Sequence, residues 1–207
     1  MNFKKLQTMQ AKLDEAILAD KAPMTEEERF NKTLVALSVE IAEVANCAEH
    51  FKFWKDNKGK IDEGRFRLES ELMDISLDDK DKLIDLGNNL KEVSFEKAHH
   101  LTLIEECSDA LHFILSLANQ LKHEISNKFL EPSILYVVEE KPEKELLFLE
   151  ILHYFAKLDR KQRVDTFESL LDTIFMYITS LGVTTEELEQ AYYDKNKINY
   201  ERLENGY

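Results

Sequence analysis

The sequence predicts an all-α fold, an antiparallel bundle of helices. Only 5 of the 207 residues are glycine and 3 are proline, against average usages of roughly 7% and 5% in proteins. Hydrophobic residues make up 43% of the chain, which is enough for a core and too much for a disordered protein. Because chain breakers are few and strand-like alternation is scarce, we expect one all-α domain over residues 1–207.

Two helices are predicted before residue 56. Apolar residues at helical spacing predict the first over Phe3–Ala19. A proline then interrupts the pattern, and Thr25 followed by three glutamates is a typical N-cap and first turn. The second helix is predicted over residues 26–55, where a polar stretch that contains a glycine ends it.

The stretch over residues 61–94 is highly charged and less regular than its surroundings. Short helices are predicted over residues 63–73 and 79–90, and a Gly-Asn-Asn sequence is a stop signal for the second of them. The helical pattern becomes regular again after Ser94.

Four more helices are predicted in the remainder of the chain. A proline follows the first of them, another opens the second, and Gly182 is a typical C-cap before the last. Thr184 and the glutamates after it are a typical helix start. The predicted helices cover residues 95–128, 140–158, 160–181 and 187–203.

The charge of the chain excludes one class of partner. The formal net charge is −14, whereas a nucleic-acid-binding surface is basic. No apolar run reaches the roughly 18 residues of a transmembrane helix, and the N-terminal segment lacks the apolar stretch of a secretory signal. Cys47 and Cys107 fall inside helical patterns, which is typical of small buried side chains. We therefore expect a cytoplasmic protein that binds neither nucleic acid nor a membrane.

Two pairs of carboxylates lie on helix faces that are otherwise apolar. Glu40 and Glu43 form the first pair, and Glu106 and Asp109 form the second. Residues three apart share one face of a helix, and like charges at this spacing repel each other. Burying them without compensation costs several times more than this repulsion. Because Mg²⁺ and Mn²⁺ prefer carboxylate and water ligands, the pairs indicate a divalent-metal site.

A basic and aromatic segment follows the first acid pair. Lys52 and Lys55 could bind phosphates, and Trp54 between them could stack on a base. Alternatively, the indole could anchor the helix end in the core while the two lysines are solvated. The residues alone leave both interpretations open.

Three side chains of the last helix share one face. Lys195, Asn199 and Arg202 follow at helical spacing, and such a stripe of cations and an amide can hold a triphosphate. The alternative is a solvated terminal helix with ion pairs to neighbouring glutamates. The six histidines form no zinc set with cysteine, and we expect His112 to be a packing residue.

With these residues in place, the chain resembles the dimeric all-α dUTPases, which belong to the MazG-like nucleoside triphosphate pyrophosphohydrolases. The resemblance spans most of the chain, and its elements occur in the right order. The most specific are the Phe51-Lys-Phe-Trp-Lys55 element and the tail over residues 195–202. The others are residues 10–14, the first acid pair, and residues 106–113.

The resemblance implies hydrolysis of dUTP to dUMP and pyrophosphate in a homodimer of bacterial or phage origin. It implies that Mg²⁺, with Mn²⁺ as a substitute, is held by the catalytic residues Glu40, Glu43, Glu106 and Asp109. It further implies that a metal-activated water attacks the α-phosphorus, with Glu40 as the activating carboxylate. Such a mechanism works by positioning and electrostatics.

The same resemblance assigns contacts with the substrate. Lys52, Lys195 and Arg202 would grip phosphate oxygens, and Trp54 would line the nucleoside pocket. The side-chain amides of Gln10, Asn46 and Asn199 are the candidates for reading the uracil or the sugar. The complete expected set is Gln10, Asn46, Lys52, Trp54, Lys55, Lys195, Asn196, Asn199 and Arg202.

One departure from the family concerns the link between the acid pairs. The family has a short link, whereas here it is much longer, and we interpret residues 57–94 as an insertion within the single domain. This insertion could be a lid, a dimer element or a docking surface for a protein partner. Glu71 and Asp74 would fit the usual spacing and are a rival second pair. Glu106 and Asp109 are preferred because the sequence after them also matches.

Two other functions stay open. One is a pyrophosphohydrolase of another pyrimidine nucleotide, such as dCTP, or a house-cleaning enzyme of broad specificity, because base choice can depend on one or two amide orientations. The other is a non-catalytic helical module that binds a partner protein through its acidic face. Dependence on a divalent metal would separate the enzymes from the module.

Overall fold

The computed structural model describes residues 1–19, 21–56, 58–68, 91–158 and 163–206. Within these ranges the chain forms seven helices and two short strands, which confirms the all-α class. The two strands pair in parallel. In chain order the elements are α1 (Phe3–Ala19), α2 (Glu26–Ala48), β1 (Phe66–Leu68), β2 (Lys91–Val93), α3 (Phe95–Gln120), α4 (Glu131–Glu140), α5 (Lys144–Lys157), α6 (Arg163–Ser180) and α7 (Thr185–Glu204).

The central helix of the bundle is α3. It packs along α2, and α1 and α7 contact it as well, while α4 and α5 pack on α6. Leu111, Ile114 and Leu115 are fully buried, and buried side chains occur along nearly the whole helix. A helix that is apolar on most sides is covered on most sides. None of the described helices is long and apolar enough to span a membrane.

Capping side chains fix the starts of α2 and α7. The Thr25 hydroxyl accepts a hydrogen bond from the Glu28 N–H, and the Glu28 carboxylate accepts one from the Thr25 N–H. Thr184 and Glu187 repeat this arrangement at the start of α7. Each capping box satisfies backbone donors that a helix start leaves unpaired. The predicted helix starts at these two threonines are confirmed, and so are both ends of α1.

Two helices end earlier than predicted. α2 ends at Ala48 and not near residue 55, because Glu49 takes a left-handed φ of 51° and its N–H bonds to the Ala45 carbonyl. This geometry closes a helix without a glycine signal. α3 ends at Gln120 and not near residue 128, and Lys122 follows with a φ of 55°.

Other predicted elements differ in kind. The helix over residues 63–73 is wrong for its described part, because residues 66–68 form strand β1, where Phe66 packs with Ala98 beside the main core. The helix over residues 79–90 lies outside the described residues. α4 is not among the predicted helices, because the proline at its start is interpreted as the end of the preceding helix. Pro132 suits a stop signal, although proline is also common in the first turn of a helix.

Candidate functional site

Glu40 of α2 meets Glu106 and Asp109 of α3 where the two helices pack. One carboxylate oxygen from each residue lies within 4.8 Å of the other two, and all three side chains are half-buried. The packing of α2 along α3 brings these acids together although they are far apart in the sequence. A cation placed among them could take a ligand from each.

Glu43 lies outside this group of three but faces the same space. It is exposed and lines an open cavity of about 610 Å³, together with Glu106 and Asp109. The charge of Glu43 raises the pKa of both Glu40 and Glu106, so it lies close enough to act on them. We call Glu40, Glu43, Glu106 and Asp109 the acid cluster, and we call the cavity that the last three of them line the acidic cavity.

Burial and mutual repulsion make two carboxyl groups of the cluster hard to ionise. Burial raises the pKa of Glu40 to about 7, and repulsion from the three neighbouring acids adds to the shift. Burial and the charges around it also raise the pKa of Glu106. Lys195 favours the ionised form of both groups without reversing the shift. The positive charge of Lys195 therefore does not balance the negative charge of the cluster, and a bound cation would supply the remainder.

Lys195 joins α7 to the acid cluster. Its Nζ lies 2.8 Å from Asp109 Oδ2 and 3.3 Å from Glu105 Oε1, and only 14% of the side chain is exposed. Glu105 also pairs with Arg65, which comes from the turn before β1. The bundle thus brings Lys195 and the acids to one place from distant parts of the chain.

The acidic cavity also contains residues that the sequence patterns do not indicate. Lys60 and Asp62 line it from the loop after α2, and Thr102 and Glu105 line it from α3. The Asp62 N–H donates to the Thr102 hydroxyl at 3.0 Å, which fixes the loop to α3. Glu105 could be found from its place directly before Glu106. The loop residues give no periodic signal that would identify them.

Lys52 and Lys55 both pair with one residue, Glu49. Their Nζ atoms lie 2.7 Å and 2.5 Å from its two carboxylate oxygens. Trp54 is 63% exposed and makes edge-on contacts with the two phenylalanines beside it. The alternative in which Trp54 anchors the helix end in the core is therefore wrong.

Gln10 is buried in a polar network between α1, α3 and α7. Its Oε1 accepts hydrogen bonds from His112 Nδ1 at 2.8 Å and from the Tyr192 hydroxyl at 3.0 Å, and its Nε2 donates to Asp14 at 2.7 Å. His112 stacks on Tyr192. Burial lowers the pKa of His112 to about 3, so its imidazole is neutral and packs as expected from the sequence.

The remaining predicted substrate residues take different positions. Asn46 is exposed and lines the acidic cavity. Asn196 is 5% exposed, and within the described chain its Nδ2 has no hydrogen-bond partner. Asn199 is half-buried on the next turn of α7, and Arg202 lies beside a separate cavity of about 450 Å³. Of the nine residues, Asn46 and Lys195 line the acidic cavity itself.

Comparison with known families decides the class of the protein. A family model described as dUTPase matches residues 2–76 and 92–207. The chain belongs to the dUTPase family. This dUTPase is therefore a nucleoside triphosphate pyrophosphohydrolase of the dUTP diphosphatase type, and its substrate is a nucleotide. No curated protein matches the chain.

The match also bears on the acid pairs and on the charged stretch. Both acid pairs lie in the matched ranges, and dUTPases generally use a divalent metal, in agreement with the acid cluster. The rival residues Glu71 and Asp74 are also matched but lie outside the described residues. Residues 77–91, within the stretch over 57–94, are not matched by the family.

Proposed function

We propose that this dUTPase hydrolyses dUTP to dUMP and pyrophosphate with Mg²⁺ held by the acid cluster, for which Mn²⁺ can substitute. One observation carries the proposal: carboxylates of α2 and α3 converge to within 4.8 Å, and the pKa values of two of them are raised. Carboxylate oxygens are the ligands that both ions prefer. The ligands would be Glu40, Glu43, Glu106 and Asp109.

The donor set fits a hard divalent cation. All four side chains offer carboxylate oxygens, and Cys47, which lines the same cavity, is unsuited as a ligand because burial raises the pKa of its thiol to about 12. Lys195 pairs with Asp109 and Glu105. The charges of Glu40 and Glu106 are therefore left for a cation to compensate.

The residues around the site would act mainly by position. A bound divalent cation would neutralise phosphate charge and lower the pKa of a water ligand. Glu40, which lies against Glu106 and Asp109, is suited to take a proton from the water that attacks the α-phosphorus. Lys195, at the wall of the cavity, would bind a phosphate oxygen.

Further cations are available for the other phosphate oxygens. Lys60 is exposed on the cavity wall. Lys52 and Lys55 share a single carboxylate, so their segment keeps a net positive charge. Arg202, further along α7, would extend the phosphate-binding face beyond Lys195. An anionic substrate needs such local cations because the whole chain carries a charge of −14.

We assign the selection of uracil over cytosine to Gln10, whose side chain is 3% exposed. Its Oε1 already accepts two hydrogen bonds and one Nε2 hydrogen is donated to Asp14, so only a donor is left for a ligand. Uracil carries a carbonyl acceptor where cytosine carries an amine donor, and a lone donor discriminates between them. Asn46, Asn196 and Asn199 would contact the base or the sugar, and the exposed Trp54 would stack on the nucleoside.

A homodimer would cover an apolar surface that one chain leaves open. On α5, Leu146, Leu149 and Leu152 are 59%, 59% and 43% exposed, and on α4 Leu135 and Val138 are 56% and 62% exposed. Both helices pack on α6, and exposed apolar groups of this kind are typical of protein interfaces. We assign this surface to the contact between two copies of the chain. We place the enzyme in the cytoplasm of a bacterium or of a phage-infected cell.

The decisive experiment measures pyrophosphate release from dUTP, dCTP, dTTP and dATP with Mg²⁺ and again with EDTA. EDTA-sensitive turnover of dUTP alone is the expected result. Turnover centred on dCTP would keep the metal site and contradict the role of Gln10. Glu43→Gln and Asp109→Asn should each abolish turnover, and full activity in both would contradict the metal site.

A further inference from the structure

Glu49 is a charged side chain buried at the end of α2. It is 1% exposed, and its φ of 51° is a left-handed conformation that residues other than glycine rarely adopt. A buried carboxylate also loses the hydration that stabilises its charge. Both features are unfavourable unless the contacts of this side chain offset them.

Those contacts come from two later segments. Glu49 accepts hydrogen bonds from the ammonium groups of Lys52 at 2.7 Å and Lys55 at 2.5 Å, and from the Gly59 N–H at 3.2 Å. Burial alone would raise the pKa of Glu49, but the two lysines outweigh it and lower the pKa to about 2. Glu49 is thus an anion throughout the neutral pH range, and its contacts do not depend on titration.

One effect of these contacts is to hold an exposed aromatic turn. We use this name for residues 51–55, in which Phe51, Phe53 and Trp54 are 39%, 88% and 63% exposed. Burial of the rings therefore does not fix the turn. Its two lysines fold back onto one carboxylate.

The other effect is to connect the turn with the wall of the acidic cavity. Gly59 binds Glu49 and precedes Lys60, which lines the cavity and donates its N–H to the Cys47 carbonyl at 2.9 Å. His99 packs against Gly59 so closely that a Cβ at this position would lie 2.9 Å from the ring. One carboxylate therefore sets the aromatic turn relative to the cavity.

We propose that Glu49 is a positioning residue for substrate binding, because it holds the aromatic turn and the Lys60 wall in the arrangement that the nucleotide needs. This rests on the proposed function, in which the turn contacts the substrate while the acid cluster holds the metal. Glu49 itself does not touch the substrate and acts through Lys52, Lys55 and Gly59. Losing its charge releases the turn without altering the acid cluster, so KM rises while kcat changes little.

Trp54 provides a direct probe, because it is the single tryptophan of the chain. Its fluorescence anisotropy and its quenching by acrylamide report on the aromatic turn alone. The variant is Glu49→Gln, which keeps the shape of the side chain and removes its charge. The matched control is Glu28→Gln, which removes a carboxylate from the capping box at the other end of α2.

For Glu49→Gln we expect lower anisotropy, stronger quenching and a KM for dUTP raised about tenfold, with kcat within about twofold of the wild type. Glu28→Gln should melt at a lower temperature but keep the wild-type anisotropy and KM. Unchanged anisotropy in Glu49→Gln would overturn the proposal. Equal changes of KM in the two variants would also overturn it, because they would show a general loss of stability.

A second variant covers the case in which Glu49→Gln does not fold. Glu49→Asp keeps the charge, but its side chain is too short to reach both lysines. The fluorescence anisotropy of Trp54 should therefore fall, by less than in Glu49→Gln. An unchanged anisotropy would overturn the proposal. If the wild type does not hydrolyse dUTP at all, the proposed function fails separately. The anisotropy of the two variants then still decides whether Glu49 holds the turn.

Discussion

The ammonium group of Lys195 lies 2.8 Å from Asp109 Oδ2, and this ion pair joins the last helix to the acid cluster. The pair is half-buried, so solvent screens it less than it would on the surface. It gives one acid of the cluster a cation within the protein, while Glu40 and Glu106 keep raised pKa values.

Replacing Lys195 by Met should weaken both the fold and the binding of substrate. Without the ammonium group, Asp109 and Glu105 lose a partner, and leaving such a group unpaired costs about 1–3 kcal/mol. Relative to the wild type, we expect a lower Tm in EDTA, a smaller fall in Tm in Mg²⁺, and a raised KM for dUTP. Lys195→Arg, which keeps the charge, is the control for melting and kinetics. A Tm equal to that of the wild type in EDTA would contradict the role of the pair.

Removing the charge of Glu106 should stabilise the protein without metal while abolishing its activity. Glu106→Gln relieves repulsion within the cluster, so its Tm in EDTA should exceed that of the wild type. The rise in Tm on adding Mg²⁺ should shrink, because a ligand is lost. Glu96→Gln, on the exposed first turn of α3, should leave both quantities unchanged. A full Mg²⁺-dependent rise in the Glu106 variant would show that the metal binds elsewhere.

The stability of the metal-free protein should depend on the ionisation of Glu40. Its folded pKa is about 7 against an ordinary value of 4.5, so the stability it contributes is complete below about pH 4.5 and is lost as the pH rises through 7. The pKa of His112 in the folded protein is lowered from 6.5 to about 3. This group therefore has the opposite effect, because it destabilises the folded protein as the pH falls below 6.5. We therefore compare the wild type with Glu40→Gln in EDTA. Because both proteins contain His112, its contribution cancels in the difference between their stabilities.

The measurement is the Tm of both proteins at pH 5, 6, 7 and 8. Relative to Glu40→Gln, the wild type should lose stability from pH 5 to 8. Each kcal/mol of free energy of unfolding that is lost should lower the Tm by roughly 2–4 °C. Saturating Mg²⁺ should remove most of this loss. A constant difference between the two proteins would mean that the pKa of Glu40 is not raised.

A charge on the exposed face of α5 should separate the proposed dimer. In Leu149→Asp a carboxylate would be buried in the interface without a partner, which costs more than the contacts of one leucine contribute. Sedimentation velocity should show a dimer for the wild type and a monomer for the variant. Lys12→Glu, on the exposed side of α1, is the control and should remain dimeric. A wild-type monomer would contradict the assignment of this surface.

Local sequence signals predicted the helices better than the surroundings of the acid cluster. Helical periodicity and capping residues suffice for α1 and for the starts of α2 and α7, because these signals depend on neighbours in the sequence. α4 is not predicted because Pro132 fits the end of one helix as well as the first turn of another. The early end of α2 could not be predicted, because the left-handed Glu49 is fixed by contacts with Lys52, Lys55 and Gly59.

At the candidate site, too, sequence spacing predicts what lies on one helix but not what the tertiary fold brings together. The spacing of the acid pairs indicates which residues share a helix face, but the approach of Lys60 and Asp62 to Glu106 depends on the path of a loop. Likewise, the burial of Gln10 in a network with His112 depends on the packing of α1 against α3. Residues 57–94 as an insertion stay a prediction, since much of this stretch lies outside the described residues.

One wall of the acidic cavity belongs to the largely buried helix α3 and the other to a lightly attached loop. Glu106 and Asp109 belong to α3, whose amide hydrogens should exchange with solvent only when the whole domain unfolds. The opposite wall, residues 60–62, is held by a few hydrogen bonds, and such segments open locally at much lower cost. Nucleotide could therefore enter and leave by displacement of the loop while the proposed metal ligands keep their geometry, so that turnover would not require these acids to be reassembled in each cycle.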